Sequence, residues 1–293
     1  MYSVHKMFGL RQGKIEFIGT PDSDYHEFIL TEKSEECMKL FIDYLNNLPE
    51  KWDCIQLTDI PENAKCLPFL GKISKELKTV HKCPYTTLPQ SSEIFLSSLR
   101  RKHRKELRRN LRRIQNDFKV DFADYSGTQS FADGMAMFFG LHQRRWESRG
   151  SPGAFANQKF RSFCRDIARS FSQKRWLGLF LLKLSGKPAA ALYGFKYRSK
   201  FYAYLSGFDP RYATYGVGSL LFSHIIGEYI QEGLVEFDFM RGAETYKDRW
   251  NTIARWNRKV VITRKGFITS FQNWLYREYW HQGNRLKYLL KMQ

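Results

Sequence analysis

The sequence predicts an α/β protein in which a mixed, twisted sheet is flanked by helices. Two patterns carry this reading. Strand-like and helical segments alternate over residues 14–90, and three apolar strand segments between 176 and 208 are followed by a helix and a further strand within 217–240. Strands joined by a tight turn run antiparallel, whereas a strand–helix–strand order makes neighbouring strands parallel, so the sheet is mixed. An apolar content of 43% with 16% aromatic residues is enough to fill a sizeable core and excludes a globally disordered chain.

Taken in order, 14–18 and 53–58 read as strands around a helix at 34–48, in which Met38, Phe41, Ile42, Leu45 and Leu48 recur at helical spacing. A second helix is expected over 63–79 and an extended segment over 80–88. Residues 92–117 read as one long helix: Leu96, Leu99, Leu107, Leu111 and Ile114 form an apolar stripe interrupted at His103, and the other faces carry nine Arg and Lys residues between 100 and 113. A strand at 119–124 and helices at 130–149 and 156–173 follow. WLGLFLLKL (176–184) and PAAALYGFKY (188–197) form a hairpin across Ser185-Gly186-Lys187, and FYAYLSGF (201–208) is the third strand. A helix at 217–231, strands at 234–240 and 254–263, and a C-terminal amphipathic, basic helix at 267–291 complete the chain.

The formal charge of +19 is uneven: residues 1–89 carry 11 basic and 13 acidic side chains, and the remainder carries a balance of +21. The second part of the chain is therefore the part suited to an anion: a phosphorylated donor, nucleic acid or an anionic membrane. The five cysteines are scattered and form no CxxC pair, which reads as free thiols in a reducing compartment, with no metal site. With no apolar run near ~20 residues and no secretory leader, a cytoplasmic location is expected; contact with the inner membrane face through the Trp-containing segment 267–291 is the alternative to packing on its own domain.

The most informative stretch is Asp209-Pro210-Arg211-Tyr212-Ala213-Thr214-Tyr215-Gly216-Val217-Gly218-Ser219. A strand ends, a polar loop follows, and a helix opens on two glycines. Missing side chains at Gly216 and Gly218 leave backbone N–H groups open to a diphosphate at the positive end of the helix dipole; close packing of helix on strand is the other explanation of such glycines. The stretch resembles the acyl-CoA-binding turn of GNAT acetyltransferases, with Asp209-Pro210, Gly216 and Gly218 in place. Ala213 stands where that pattern has Arg or Gln, and Thr214 where it often has glycine. A wider resemblance, to the FemAB/CelD-like branch of the superfamily, rests on Ser23-Asp24-Tyr25, Trp52-Asp53, the Arg-rich helix, Leu141-His142-Gln143-Arg144-Arg145-Trp146 with Gly150, Gly207-Phe208-Asp209-Pro210, and Phe237-Asp238-Phe239-Met240-Arg241-Gly242-Ala243-Glu244-Thr245-Tyr246-Lys247.

The resemblance implies a GNAT-like fold as a tandem: a shortened N-terminal half (1–90), a basic connecting helix (91–118), a catalytic half (119–264) and the amphipathic helix (265–293). It implies an N-acyltransferase moving an acyl group from acetyl-CoA or another acyl-CoA to an amine on an amino sugar or an envelope or exopolysaccharide precursor, without a metal. Leu205, Ser206, Arg211, Tyr215, Gly216, Val217, Gly218 and Ser219 would hold the donor. Glu244 and Asp238 are the candidate bases, with Tyr204 beside the reacting carbonyl. His142, Arg145, Trp146, Arg241, Tyr246 and Lys247 would contact the acceptor; a structural role for His142 and an ion-pair network joining Asp238, Arg241 and Glu244 stand as alternatives. Fem-type relatives use aminoacyl-tRNA, so tRNA is the rival donor, and a non-catalytic binding protein on the same fold is the third reading.

Overall fold

The computed structural model describes residues 1–7, 10–30 and 32–264; the C-terminal helix expected at 267–291 lies outside them. The chain forms two compact units.

Among the described residues, the first unit contains those within Met1–Cys83, Arg241–Ala243 and 254–264. Strands β1 (Tyr2–Met7) and β2 (Leu10–Ile15) pair as an antiparallel hairpin. β2 runs parallel to β3 (Cys54–Pro61) across the connection through helix α1 (Ser34–Asn46). The late strand β10 (Ile253–Thr263) lies antiparallel to β3 and between it and β4 (Glu76–Thr87). Ile55, Leu57 and Ile60 of β3, Met38 and Leu45 of α1, Trp52, and Leu70 of helix α2 (Leu67–Ile73) make the core. The helix expected over 63–79 is thus short: it stops at Ile73, and Ser74 turns extended (ψ 146°) into β4, whose Thr79-Val80 and Thr86-Thr87 are β-branched and prefer a strand.

The second unit contains Pro84–Met240 and Glu244–Ile253. Its strands lie in the order β4 end, β9 (Glu236–Asp238), β8 (Lys200–Phe208), β7 (Lys187–Tyr197), β6 (Leu177–Leu184), β5 (Val120–Asp124). The β8–β9 pair is parallel and the others are antiparallel. The period of two along β6 sorts its side chains: Phe180, Leu182 and Leu184 meet α3 (Ser92–Ser98), α4 (Arg101–Asp117) and α7 (Val217–Gln231), whereas Leu177, Leu179 and Leu181 meet α5 (Phe131–Glu147) and α6 (Gln158–Gln173). Burial on both faces explains the unbroken apolar run of β6; each such side chain contributes roughly 1.5–3 kcal/mol.

The single helix expected over 92–117 is two. Leu99 and Arg100 are extended (ψ 150° and 134°), because the Ser97 and Ser98 hydroxyls donate to the carbonyls of Ile94 and Phe95, and Arg104 Nη1 caps the carbonyls of Leu96 and Ser97. Helix α5 lies directly on β8: a Cβ at Gly207 would stand 2.5 Å from the backbone nitrogen of His142 and 2.7 Å from its Cα. Backbone atoms cannot rotate aside, so Gly207→Ala should destabilise the protein by about 1–3 kcal/mol, read as a lower urea midpoint; an unchanged midpoint would mean that the two elements are less tightly apposed.

Candidate active site

β8 is paired to β9 only from Lys200↔Glu236 to Tyr202↔Asp238, and from Ala203 to Phe208 its only strand partner among the described residues is β7. The reason lies at the end of β9. Asp238, fully buried, accepts the Met240 amide on Oδ1 at 2.7 Å, and Met240 takes a left-handed conformation (φ 59°). The Met240 carbonyl accepts from Lys247 Nζ at 3.2 Å. A non-glycine residue in this conformation is strained by about 1–2 kcal/mol, and ties on both its amide and its carbonyl hold it there. Opposite, β7 bulges between Tyr193 and Phe195, where a Cβ on Gly194 would stand 2.3 Å from the Tyr202 carbonyl.

At the C-terminal end of β8 the buried Asp209 organises the loop. Its carboxylate accepts from the Arg211 amide (3.0 Å) and from Arg211 Nε and Nη2, with Arg144 at 3.6 Å; hydrogen bonding to Arg211 holds its pKa below the usual value. Residues Pro210–Tyr215 then make a 3₁₀ turn, Gly216 is left-handed (φ 65°), and α7 begins at Val217 without a side-chain cap. The first helical amides, at Val217, Gly218 and Ser219, have no i−4 partner within the helix. A Cβ on Gly218 would meet nothing within 4 Å, whereas one on Gly216 would lie 2.6 Å from the side-chain Nδ2 of Asn110, a buried residue of α4. The corner is thus open at Gly218 and occupied by Asn110 at Gly216. Arg211 is engaged by Asp209. Tyr215 donates its hydroxyl to Asp117 at 2.8 Å, which raises its pKa, and Arg113 stacks 4.3 Å from its ring.

The α5 face reaches β8 at Ser206. Arg145 Nη1 donates to the Ser206 carbonyl (3.3 Å) and hydroxyl (3.2 Å), and its guanidinium carbon lies 5.1 Å from the Phe208 ring centre. His142 is buried, and its Nε2 accepts from Trp146 Nε1 at 3.0 Å. Burial, and then the Arg145 charge, push the His142 pKa down to about 4. Tyr204 and Leu205 pack in the apolar layer with Tyr193 and Phe195. In the 244–247 segment, Glu244 is more than half exposed and ion-paired to the buried Lys247 at 2.9 Å, and burial raises the pKa of Tyr246. The expected ion-pair network takes another form: Arg241 belongs to the first unit, where it pairs with Asp59 (2.7 Å) and Asp24 (3.3 Å) and donates to the Pro21 carbonyl. Glu244 pairs with Lys247 instead.

Asn110 escaped the sequence reading. Its one signal is position: it falls between Leu107 and Ile114 on the buried side of α4, where a polar residue requires a reason. Asp24 stood in a motif, but nothing in the sequence named its partner 217 residues away.

His103 behaves like His142. It lies edge-on to Trp250, neither ring nitrogen has a partner among the described residues, and burial pushes its pKa down to about 4. Both imidazoles therefore stay neutral in the fold while the unfolded chain takes up protons from near pH 6.5. Stability should fall as pH falls from 6.5 to 4, by up to about 1.4 kcal/mol per pH unit for each histidine. Urea unfolding across this range checks it: His142→Asn should lose one histidine's share of the slope, and equal slopes would contradict the assignment.

Among the described residues no helix is long and apolar enough to cross a membrane, and no three His, Cys, Asp or Glu side chains are grouped as a metal site. All five cysteines are free thiols, with Cys54 and Cys66 pushed up to about 11 by burial. The family described as Acetyltransferase (GNAT) domain matches residues 101–248, half of the chain. No curated protein matches. Among solved structures, FemX superposes with a TM-score of 0.58 at 13% identity, covering 87% of this chain and 83% of its own. L-PGS from Bacillus licheniformis gives 0.55 at 11% identity, over 80% and 75%. A conserved protein of unknown function from Bacteroides thetaiotaomicron gives 0.55 at 12%, over 78% and 75%. At these identities the structures speak for the fold alone, whereas the family match spans α4 through the Glu244–Lys247 segment, and on that match the chain belongs to the GNAT acetyltransferase-domain family.

Proposed function

We propose that the protein is an N-acyltransferase that moves an acyl group from an acyl-CoA to an amine by direct attack. One observation carries this: β8 runs on from Ala203 to Phe208 without β9 and leads into a helix start that is open at Gly218. A pantetheine arm is a chain of amides, and it can satisfy the edge of a strand that has lost its neighbour. Its diphosphate would meet the amides of Val217–Ser219. The strand then supplies the 204–206 backbone near the thioester carbonyl, where an N–H stabilises the developing oxyanion. Glu244 is the base we favour for taking the ammonium proton, because Asp238 is sealed and holds the Met240 turn. With the amine bonded to the carbonyl carbon and the thiolate expelled, the products are the amide and CoA. We read the first unit as the shortened GNAT-like half, and amino sugars or envelope precursors as the acceptor class.

A second reading, aminoacyl-tRNA as donor, is favoured by Asn110 and Ala213 at the phosphate corner and by the exposed cations of α4, among them Arg101, Lys105, Arg108, Arg109 and Arg112. FemX and L-PGS share the fold, which leaves the donor open.

Acetyl-CoA or CoA should raise the melting temperature, and Gly218→Glu, which the open space at Gly218 tolerates, should remove the shift while leaving the fold intact. Stabilisation by tRNA but not by CoA at millimolar concentration, lost in an Arg101, Arg108, Arg112→Glu variant, would transfer the assignment to the second reading. Glu244→Gln should lower kcat by about 10²-fold or more, with the loss easing at higher pH as the amine deprotonates by itself.

A further inference from the structure

Arg145 and Arg161 are half-buried arginines whose Nε has no hydrogen-bond partner among the described residues, and of the two Arg145 is the one whose guanidinium bonds to β8, while other cations are neutralised by carboxylates. Lys14 pairs with Glu16 at 2.7 Å, Lys247 with Glu244 at 2.9 Å, and Arg241 with Asp59 and Asp24. Arg145 has no carboxylate within ion-pair distance among the described residues. The carboxylate whose field reaches it is that of Glu244, which is engaged by Lys247. One nitrogen, Nη1, is used on Ser206; Nε is shut off from solvent with no hydrogen-bond partner, and the Phe208 ring compensates the charge only in part.

Taking a guanidinium out of water without an anion costs several kcal/mol. A structure that only needed α5 fixed to Ser206 would do so at lower cost with a neutral donor such as glutamine. A guanidinium differs from that in carrying a charge, and with Nη1 on Ser206 and Nε shut off from solvent, Nη2 is the nitrogen left to meet an anion. The position is equally specific. Arg145 sits on the part of β8 that β9 does not cover, with Tyr246 and Glu244 in electrostatic reach.

We infer that Arg145 binds a carboxylate carried by the acceptor close to its nucleophilic amine, so that the acceptor is of amino-acid or peptide type or an amino sugar bearing an acid group. This rests on reading the uncovered stretch of β8 as the acyl-transfer site. The carboxylate completes the charge that the protein leaves unbalanced and fixes the amine on the side of Glu244. Neutral amines lack this anchor and are poor acceptors.

The test is binding of glycylglycine, as a minimal amine with a carboxylate, against its C-terminal amide, followed by calorimetry on the wild type, Arg145→Gln and Arg145→Lys. The wild type should bind the acid at least ten-fold more tightly than the amide. Arg145→Gln should abolish that preference, and Arg145→Lys should retain only part of it, since the charge remains on a shorter side chain. Circular dichroism checks that the variants fold; if Arg145→Gln does not, the Lys variant and the acid–amide ratio of the wild type decide. Equal binding of acid and amide by the wild type, or a preference that survives in Arg145→Gln, overturns the proposal. Pyrophosphate binding that exceeds that of the dipeptide and is lost in Arg145→Gln also overturns it, by assigning the guanidinium to the donor. A CoA-induced melting shift measured on the same samples should persist in Arg145→Gln. Its absence from the wild type counts against the acyl-CoA reading, while the acid–amide comparison still reports on Arg145.

Discussion

β9 is three residues long, and the carboxylate of its last residue is what ends it. By accepting the Met240 amide, Asp238 turns the chain away where another extended residue would have continued the parallel ladder. Lys247 holds the Met240 carbonyl from the other side, so a left-handed methionine becomes a fixed point of the backbone. Among the described residues, β8 from Ala203 to Phe208 is left with a strand on one side only. The edge of a sheet normally invites another strand; here it lies next to a helix start and the half-buried guanidinium of Arg145.

The other side of this arrangement is set by α5. Gly207 lets the helix backbone come into contact with β8, and this closeness is why a side chain as long as arginine can bend back onto Ser206. His142, almost one turn earlier, is spent on Trp146 and on packing. The helix thus brings three polar side chains to the strand, and they divide the work between them. His142 holds Trp146, Trp146 covers Gly153, and Arg145 faces the uncovered strand.

Much of the second unit was legible in the sequence because its signals are local. The unbroken apolar run of β6, the Ser185-Gly186 turn and the two glycines that open α7 each report on their own neighbourhood. The joint at Leu99–Arg100 was not legible, since the apolar stripe runs through it and only the serine hydroxyls and Arg104 interrupt the ladder. The partnership of Arg241 with Asp24 and Asp59 was equally hidden, because no spacing rule connects residues about two hundred positions apart. The same holds before α7: glycines marked the corner, but the side chain that reaches into it from another helix, Asn110, left only a polar residue on a buried stripe as its trace. The shortening of β9 to Glu236–Asp238 depends on a side-chain-to-backbone bond, which a pattern of apolar residues does not encode.

The first unit is assembled from three separated stretches of chain, and β10, the strand between β3 and β4, comes from the last of them. During synthesis β3 and β4 leave the ribosome long before the strand that belongs between them exists. At roughly 5–20 residues per second, the nascent N-terminal segment waits many seconds with the apolar faces of Ile55, Ile60 and Leu70 uncovered. The second unit, whose residues precede β10, is ready to fold in that interval. The amino-terminal part of this protein is therefore the part whose core closes last, and the part that most needs protection from aggregation while the chain is unfinished.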